Sequence, residues 1–328
     1  MKTKTKFKPK TTEQICKEIT SVVIEALEKD LCPWIKPWSS PEGPINYNTK
    51  RPYSSSNKII LTSVQMVKGY DFNSWVTFKG AKDLGGNVKK GEKGTQVVFW
   101  KVIMRDVLDK EGNPVLDSKG NPKEKPIYFL KTYTVFNIAQ CEGFPMPDKP
   151  KTATSGLPDV DAKAHSFVYN YSKAQPSLKI QSTIKSDRAY FSPRDDKIVV
   201  PTIEQATQKA LSMGQTEWDG LEHFYSTLFH EMVHSTGTKD RLNRPTLVET
   251  SYFGDHNYSK EELVAEIGSA VLGAKAGVAS ERVMDNTKAY CKGWASKLKD
   301  QPSWILWAGT QSEKATNYIL GESQQENK

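Results

Sequence analysis

The chain has 328 residues and a formal net charge of +8, with 37% hydrophobic and 26% charged residues. Its longest apolar runs fall far short of the roughly 20 residues of a membrane-spanning helix, and no signal-like apolar run follows its first residues. The four cysteines are widely spaced and form neither a C-x-x-C pair nor a disulfide framework. These features exclude a membrane-spanning protein and a disulfide-stabilised secreted one. They favour a cytoplasmic protein with two domains and reduced thiols.

The positive charge lies almost wholly in the N-terminal half. Residues 1–150 contain 25 Lys and Arg against 16 Asp and Glu, whereas residues 151–328 contain 21 against 22. A half with a net charge of +9 is typical of a protein that meets a polyanion. A solvated lysine-rich surface is the alternative explanation of the same count.

Composition and hydrophobic periodicity divide the chain into five segments of an α+β protein. In chain order these are a flexible basic arm (1–10), a small α+β domain (11–144), a linker (145–163), a second α+β domain (164–320) and a polar tail (321–328). Within the first domain we expect helices from Thr11 and over 57–67, strands at 95–105 and 127–136, and an exposed hairpin insertion at 106–126. Two copies of a turn-like sequence within that insertion indicate the hairpin.

Aromatic residues interleaved with lysines indicate a surface in the first domain that stacks on bases and binds phosphates. Rings stack on bases, lysines neutralise phosphates, and a glycine-rich stretch such as 85–94 exposes backbone amides to phosphates. For the tryptophans, a place in a small core is the alternative. The candidate DNA-binding residues are Trp34, Lys36, Trp38, Tyr53, Trp75, Phe78, Lys79, Lys82, Lys89, Lys90 and Lys93.

The second domain contains the motif H-E-x-x-H inside a predicted helix at 218–236. Residues four apart lie on one face of a helix, so His230 and His234 can present two imidazole nitrogens to one metal ion. Glu231 beside them is the candidate general base, because a zinc ion lowers the pKa of a bound water from 15.7 to about 7. The pattern predicts one Zn²⁺ per chain and the chemistry of a zinc peptidase.

A third protein ligand is expected, since catalytic zinc commonly takes three and leaves one position open. Glu262 and Glu266 lie one turn apart beside the apolar face of a predicted helix at 259–276. We predict Glu262 as the ligand and Glu266 as the carboxylate that orients a histidine, with the reverse assignment as the alternative. Glu262 also fits a capping box with Ser259, which would make it structural.

The remaining elements of the second domain build the walls of this site. We predict a strand hairpin at 187–201, a helix at 203–213, an irregular segment at 241–256 and a helix at 281–298. The strand near Ile198 is the predicted partner of an extended substrate. Tyr252 or Tyr258 is the predicted donor to the oxyanion. The tryptophans at 294, 304 and 307 are predicted core residues.

With both halves read, the chain resembles the ArdC-type antirestriction proteins of plasmids and phages. The resemblance spans nearly the whole length and lies in residues 33–34, 37–38, 75–78, 85–94, 135–140, 189–191, 196–198, 230–237 and 261–268. It implies an N-terminal domain that binds single-stranded DNA, a C-terminal zincin-like metallopeptidase domain, and protection of incoming DNA from host restriction. The insertion at 106–126 and the basic arm depart from the family pattern.

The resemblance leaves the protein substrate of the peptidase unknown, with a host defence component as one candidate. The main rival hypothesis is a DNA-binding protector whose zinc fold is structural. His256 is the only obvious residue to close the fourth zinc position in that case. A nuclease is the second rival, but no carboxylate cluster of the two-metal type surrounds the histidine pair.

Overall fold

The computed structural model describes residues 10–34, 43–53, 55–147, 160–249, 256–278 and 287–322. Helices and strands both occur in each half, which confirms the predicted α+β class. The helices are α1 (Thr12–Glu28), α2 (Ser55–Lys68), α3 (Phe78–Asp83), α4 (Val160–Ala174), α5 (Ile203–Ser212), α6 (Glu217–Ser235), α7 (Pro245–Val248), α8 (His256–Ala276), α9 (Thr287–Asp300) and α10 (Trp304–Leu320). The strands are β1 (Ile45–Asn46), β2 (Ser74–Thr77), β3 (Asn87–Val88), β4 (Thr95–Asp106), β5 (Glu124–Asn137), β6 (Cys141–Glu142), β7 (Lys179–Gln181), β8 (Tyr190–Ser192) and β9 (Lys197–Val199).

A four-stranded sheet of order β1-β2-β5-β4 organises the N-terminal half. β4 and β5 form a long antiparallel hairpin, and β5 also pairs antiparallel with β2. At the base of the hairpin, Val97 and Val135 share a buried cluster with Leu61 and Val64 of α2. On the other face of the hairpin, Val98 and Leu130 contact the main hydrophobic core.

The hairpin ends in the two turns that the sequence repeat predicts. The Asp109 carboxylate accepts hydrogen bonds from the backbone amides of Glu111 and Asn113. The Asp117 carboxylate accepts hydrogen bonds from the backbone amides of Lys119 and Asn121. These bonds replace the backbone partners that the turns lack, so the tip is a defined structure.

A three-stranded sheet of order β7-β9-β8 lies in the C-terminal half. The predicted hairpin is present, since β8 pairs antiparallel with β9. Ile198, however, lies in the central strand β9 and is fully buried, so the predicted pairing of a substrate there is wrong. β7 and β8 are the two edge strands, and β8 is the edge strand that packs against α6.

Helix boundaries agree closely with the predictions for α1, α2, α5 and α6. α8 begins at His256, three residues before the proposed cap, so Ser259 is inside the helix and the capping-box alternative for Glu262 is wrong. α9 begins at Thr287, and residues 281–286 of the predicted helix lie outside the described ranges. No helix was predicted for the residues of α10. Trp304 at its start is buried, as predicted for a core residue.

One hydrophobic core joins the two halves. α1 packs against α9, and α2 packs against α10. Leu27 shares a buried cluster with Leu298 and Ile305. The Thr20 hydroxyl also donates to the carbonyl of Pro302 at 2.7 Å. Helices of the N-terminal half therefore pack directly against helices of the C-terminal half. The domain boundaries remain predictions. No helix in the described part of the chain has the length and apolar character to cross a membrane.

Candidate metal centre

The H-E-x-x-H motif lies in the last two turns of α6. The helix begins at a capping box in which Thr216 and Asp219 exchange side-chain and backbone hydrogen bonds. This satisfies amides that the first turn leaves unpaired. His230 and His234 therefore project from a helix whose start is fixed and whose opposite face is buried.

α8 packs against α6 and brings its carboxylates to the histidines. The close approach depends on Gly268, where an added Cβ would lie 2.8 Å from a methyl carbon of Val233. A side chain at this position would force the helices apart, so the glycine sets the distance between Glu262 and the motif.

Three side chains converge in a group that can hold a metal ion, His230, His234 and Glu262. The two Nε2 atoms are 3.0 Å apart, and the carboxylate oxygens of Glu262 lie 3.4 Å and 3.3 Å from them. Ligand atoms about 2.05 Å from a tetrahedral metal lie about 3.3 Å from one another. The spacing and the donor set of two imidazoles and a carboxylate thus fit one divalent ion.

Glu261 holds the far side of His234. Its carboxylate lies 3.3 Å from Nδ1 of the ring, which leaves Nε2 to face His230 and Glu262. Such a contact fixes the tautomer and orientation of a ligating imidazole. The orienting carboxylate on this ring is therefore Glu261, a residue for which we predicted no role.

Arg244 positions Glu261 in turn. Its Nη2 donates to Glu261 at 2.6 Å, and its Nε donates at 3.1 Å and 3.2 Å. The Thr246 hydroxyl donates to the other carboxylate oxygen at 2.5 Å. The guanidinium also donates to the carbonyl of Val233 at 2.7 Å, within the motif itself. The segment predicted to be irregular thus supplies an arginine, only 1% exposed, that ties α6 to α8.

Electrostatics at the site favour the ligating states of the carboxylates. Burial raises the pKa of Glu261, but His234 and Arg244 outweigh it and lower the pKa to about 2. Burial also acts on Glu262, where hydrogen bonds to both histidines hold the pKa well below its usual range. Burial lowers the pKa of His234, yet Glu261 and Glu262 raise it to about 10.

Glu231 has the environment of a general base. The side chain is buried at 7% exposure, and the backbone amide of Phe191 in β8 donates to its carboxylate. Burial raises the pKa of Glu231, and the two histidines oppose this only in part. A raised pKa brings a carboxylate closer to the range in which it can accept and return a proton.

Glu266 lies outside the three-residue group. The Tyr290 hydroxyl donates to its carboxylate and accepts a bond from Nε1 of Trp34 at 3.1 Å. Burial raises the pKa of Glu266. A chain of hydrogen bonds therefore runs from a helix of the metal site to a residue of the N-terminal half.

Tyr258 lies beside the site and hydrogen-bonds to Glu262. Burial and the Glu262 charge raise the pKa of this phenol to about 12, so it remains a donor at neutral pH. Tyr252, the other predicted donor, and the side chain of His256 lie outside the described residues.

A cavity of about 600 Å³ borders the same helix upstream of the motif. Its walls include Thr227 and His223 of α6, which precede His230 by one and two turns on the same face. Met213 and Val200 give it an apolar part, and Lys209 a cation. Its size is in the range of ligand-binding pockets, so it can hold side chains of a bound peptide.

The structure separates the aromatic candidates for DNA contact. Trp34, Tyr53 and Trp75 are 2%, 8% and 0% exposed, so their rings fill the core and present no free face to a base. Lys36 and Trp38 lie outside the described residues. The core alternative thus holds for the described tryptophans.

The remaining candidates form exposed positions on two neighbouring elements. On α3, Phe78 is 52% exposed, and Nζ of Lys82 lies 5.2 Å from its ring centre. α3 packs against β3, and the turn that follows β3 is held by Gln140, which donates to the carbonyl of Lys93. The exposed candidates, here named the lysine patch, are Phe78, Lys79, Lys82, Lys89, Lys90 and Lys93.

An H-E-x-x-H helix beside a short sheet, with a carboxylate supplied by a following helix, defines a zincin-like metallopeptidase domain. A family model for zincin-like metallopeptidases matches residues 173–311. A model for the N-terminal domain of anti-restriction factor ArdC matches residues 13–136. The chain belongs to the ArdC family of antirestriction proteins, which confirms the resemblance read from the sequence.

Two solved structures of the antirestriction ArdC protein from plasmid R388 are similar to almost the whole chain. The metal-free one is 29% identical and covers 94% of this chain and 99% of its own, with a TM-score of 0.64. The Mn(II)-bound one is 28% identical and covers 95% and 98%, with the same TM-score of 0.64. With the three-residue group, this points to a divalent metal.

Curated relatives extend the family to longer proteins. Two Escherichia coli proteins named DNA primase TraC are 32% and 29% identical over 94% of this chain. This chain spans only 20% and 27% of their lengths. The uncharacterized protein y4eC of Sinorhizobium fredii is 27% identical, and the match covers 95% of this chain and 93% of that protein.

Proposed function

We propose that this protein protects incoming DNA from host restriction by binding single-stranded DNA and by hydrolysing a protein substrate at one zinc ion per chain. The observation that carries the proposal is the convergence of His230, His234 and Glu262 beside a buried Glu231. The net charge of +9 on residues 1–150 supports the DNA contact. The antirestriction name of the R388 relative supports the biological role.

The proposed hydrolysis uses residues with distinct tasks. His230, His234 and Glu262 would hold the metal, which when bound lowers the pKa of a water and polarises a carbonyl. The Glu231 carboxylate takes the proton of the attacking water and returns it to the nitrogen of the leaving amine. The Tyr258 hydroxyl, beside Glu262, donates to the carbonyl oxygen as negative charge develops there.

The free edge of β8 gives the substrate a place to bind. An extended peptide can add to a sheet edge through main-chain hydrogen bonds. β8 also donates an amide to Glu231, so a peptide on this edge lies next to the base. A side chain of that peptide would enter the cavity at Thr227 and Met213. The class of protein cleaved follows from the proposed role, in which a host defence component is the target.

Metal binding at neutral pH is expected to release a proton from His234. The pKa of about 10 means that this imidazole is protonated at pH 7, and a metal needs the neutral ring. Titration calorimetry with Zn²⁺ in two buffers of different ionisation enthalpy measures the release. We expect about one proton from this group at pH 7 and less as the pH rises through 10. No release at pH 7 would contradict the raised pKa of His234 and show that its ring is already neutral before the metal binds.

Replacing Lys89, Lys90 and Lys93 together with alanine is expected to weaken DNA binding in a salt-dependent manner. Each phosphate contact to a single strand contributes about 0.7 to the slope of log K against log salt, so three contacts contribute about 2. Fluorescence anisotropy with a 20-nucleotide oligothymidylate between 50 and 200 mM salt measures the slope.

The matched control removes three exposed lysines of the C-terminal half, Lys163, Lys173 and Lys314. It should bind as the parent does. Equal slopes for the patch variant, the control and the parent would place the DNA contact elsewhere.

The rival account, a DNA-binding protector with a structural metal, shares the DNA contact and differs in the need for Glu231. Glu231 would be dispensable for protection in that account, because it is not among the three converging ligands. A transfer assay of unmodified plasmid DNA into a restricting host, with parent and Glu231→Gln protein, separates the two. The peptidase account expects protection to be lost in the variant.

A further inference from the structure

One face of the β4–β5 hairpin carries no acidic residue. Opposite residues in a paired hairpin point to the same side, and alternate pairs share a face. On this face, named the hairpin face, the pairs are Val97–Tyr133, Phe99–Lys131, Lys101–Phe129, Ile103–Ile127 and Arg105–Lys125.

The rings of the hairpin face are open to solvent. Val97 is covered by α2, but Phe99, Phe129 and Tyr133 are 39%, 42% and 42% exposed. Ile103 on the same face is 36% exposed. A contiguous set of exposed large apolar groups is typical of a binding surface.

The charge of the hairpin face indicates what kind of molecule binds there. Lys101, Arg105, Lys125 and Lys131 are all exposed. The nearest acids along the strands, Asp106 and Glu124, are paired with each other and belong to the opposite face. Four cations with no carboxylate among them complement a polyanion rather than an apolar protein surface.

Rings and cations also alternate at the spacing of a stacking surface. The rings of Phe99 and Tyr133 meet edge to face with centres 5.3 Å apart, and Nζ of Lys131 lies 4.9 Å from the Tyr133 ring centre. Side chains two residues apart on a strand are separated by about 7 Å. Sheet aromatics of this kind stack on unpaired bases while flanking cations hold the phosphates.

We propose that the hairpin face is a binding site for single-stranded DNA, with Phe99, Phe129 and Tyr133 stacking on bases and Lys101 and Lys131 contacting phosphates. The proposal rests on the proposed DNA-binding function and adds a second contact surface to the lysine patch. The paired strands of the hairpin then contact the DNA, and the 106–126 tip that departs from the family pattern does not.

Two double variants of the full chain test the assignment, with a 20-nucleotide oligothymidylate and a duplex of equal length as probes. Phe129→Ala with Tyr133→Ala should weaken single-strand binding at least tenfold at every salt concentration, because each stacked base contributes five- to 150-fold. It should also lose the preference of the parent for the single strand. Lys101→Gln with Lys131→Gln should lower the salt slope by about 1.4.

Control variants test whether lost charge alone, or a damaged fold, explains any change in binding. Lys110→Gln with Lys119→Gln removes two exposed lysines at the hairpin tip and should leave binding unchanged. Tyr133→Phe keeps the ring and should bind as the parent does. Circular dichroism melts of all variants report whether the fold survives.

The outcomes separate the two proposals. A parent that binds neither probe overturns the DNA-binding function and this site with it. A parent that binds the oligothymidylate, with both hairpin variants equal to it, overturns the site alone. Unchanged DNA binding with lost protection in the transfer assay would assign the face to a protein partner instead.

Discussion

Replacing Glu231 with glutamine is expected to lower peptidase turnover by at least about 100-fold while the metal and the fold remain. Loss of a general base costs on this scale, since proton transfer contributes about 10²–10⁴-fold. Glutamine has nearly the same shape, and residue 231 is not one of the three converging ligands, so metal occupancy should match the parent. Protein N-termini that appear in cells expressing the parent identify the cleavage sites, and peptides spanning those sites give the rates.

The control for this substitution lies on the same helix. Glu217 is exposed in the first turn of α6, and Glu217→Gln should leave both turnover and protection unchanged. Cleavage that continues at the parental rate in the Glu231→Gln protein would contradict the assigned base. The same N-termini in both cell populations would mean that other proteases produce them.

Replacing Arg244 with leucine is expected to destabilise the protein by about 3–5 kcal/mol. The substitution leaves the Glu261 carboxylate buried without its ion pair, and breaking a buried pair costs on this scale. Unfolding entropy for 328 residues is roughly 0.7 kcal/mol per kelvin, so the melting temperature should fall by about 4–7 °C. Zinc affinity should also fall 10–100-fold, because Glu261 orients His234.

A lysine at position 244 separates the effect of the positive charge from the effect of the guanidinium geometry. Arg244→Lys keeps the positive charge but loses the fork that reaches Glu261 and Val233 together, so its melting temperature should lie between the parent and the leucine variant. Arg194→Leu at an exposed turn is the control and should change stability little. Parental melting and zinc affinity in Arg244→Leu would contradict the role given to this arginine.

The sequence predicted the three side chains that converge in the candidate metal centre, but not the residues that hold them in place. Helical spacing alone placed His230 and His234 together, and Glu262 converged on them as expected. Glu261 was missed because its main partner is 17 residues away in a segment without periodicity. Two adjacent glutamates near the start of α8 were the available signal, since one can reach the metal while its neighbour faces α6.

In the N-terminal half, local sequence patterns did not distinguish surface aromatic residues from core ones. A tryptophan beside a lysine suits a stacking surface or a core wall, and local sequence does not separate them. Trp34 contacts Tyr290 of α9, which lies far along the chain. Trp75 is buried in a cluster formed by α2 and strands of the sheet. Conversely, the strands at 95–105 and 127–136 were predicted, but only their register shows that rings and cations share one face.

The metal content of the purified parent, His230→Ala and Glu231→Gln proteins, measured by mass spectrometry, decides whether the metal centre exists. We predict about one zinc per chain in the parent and in Glu231→Gln, because two imidazoles and a carboxylate suit that ion. His230→Ala should hold little or none, since it loses one of the three converging atoms. Full zinc occupancy in a folded His230→Ala protein, or none in the parent, would contradict the metal centre on which the account rests.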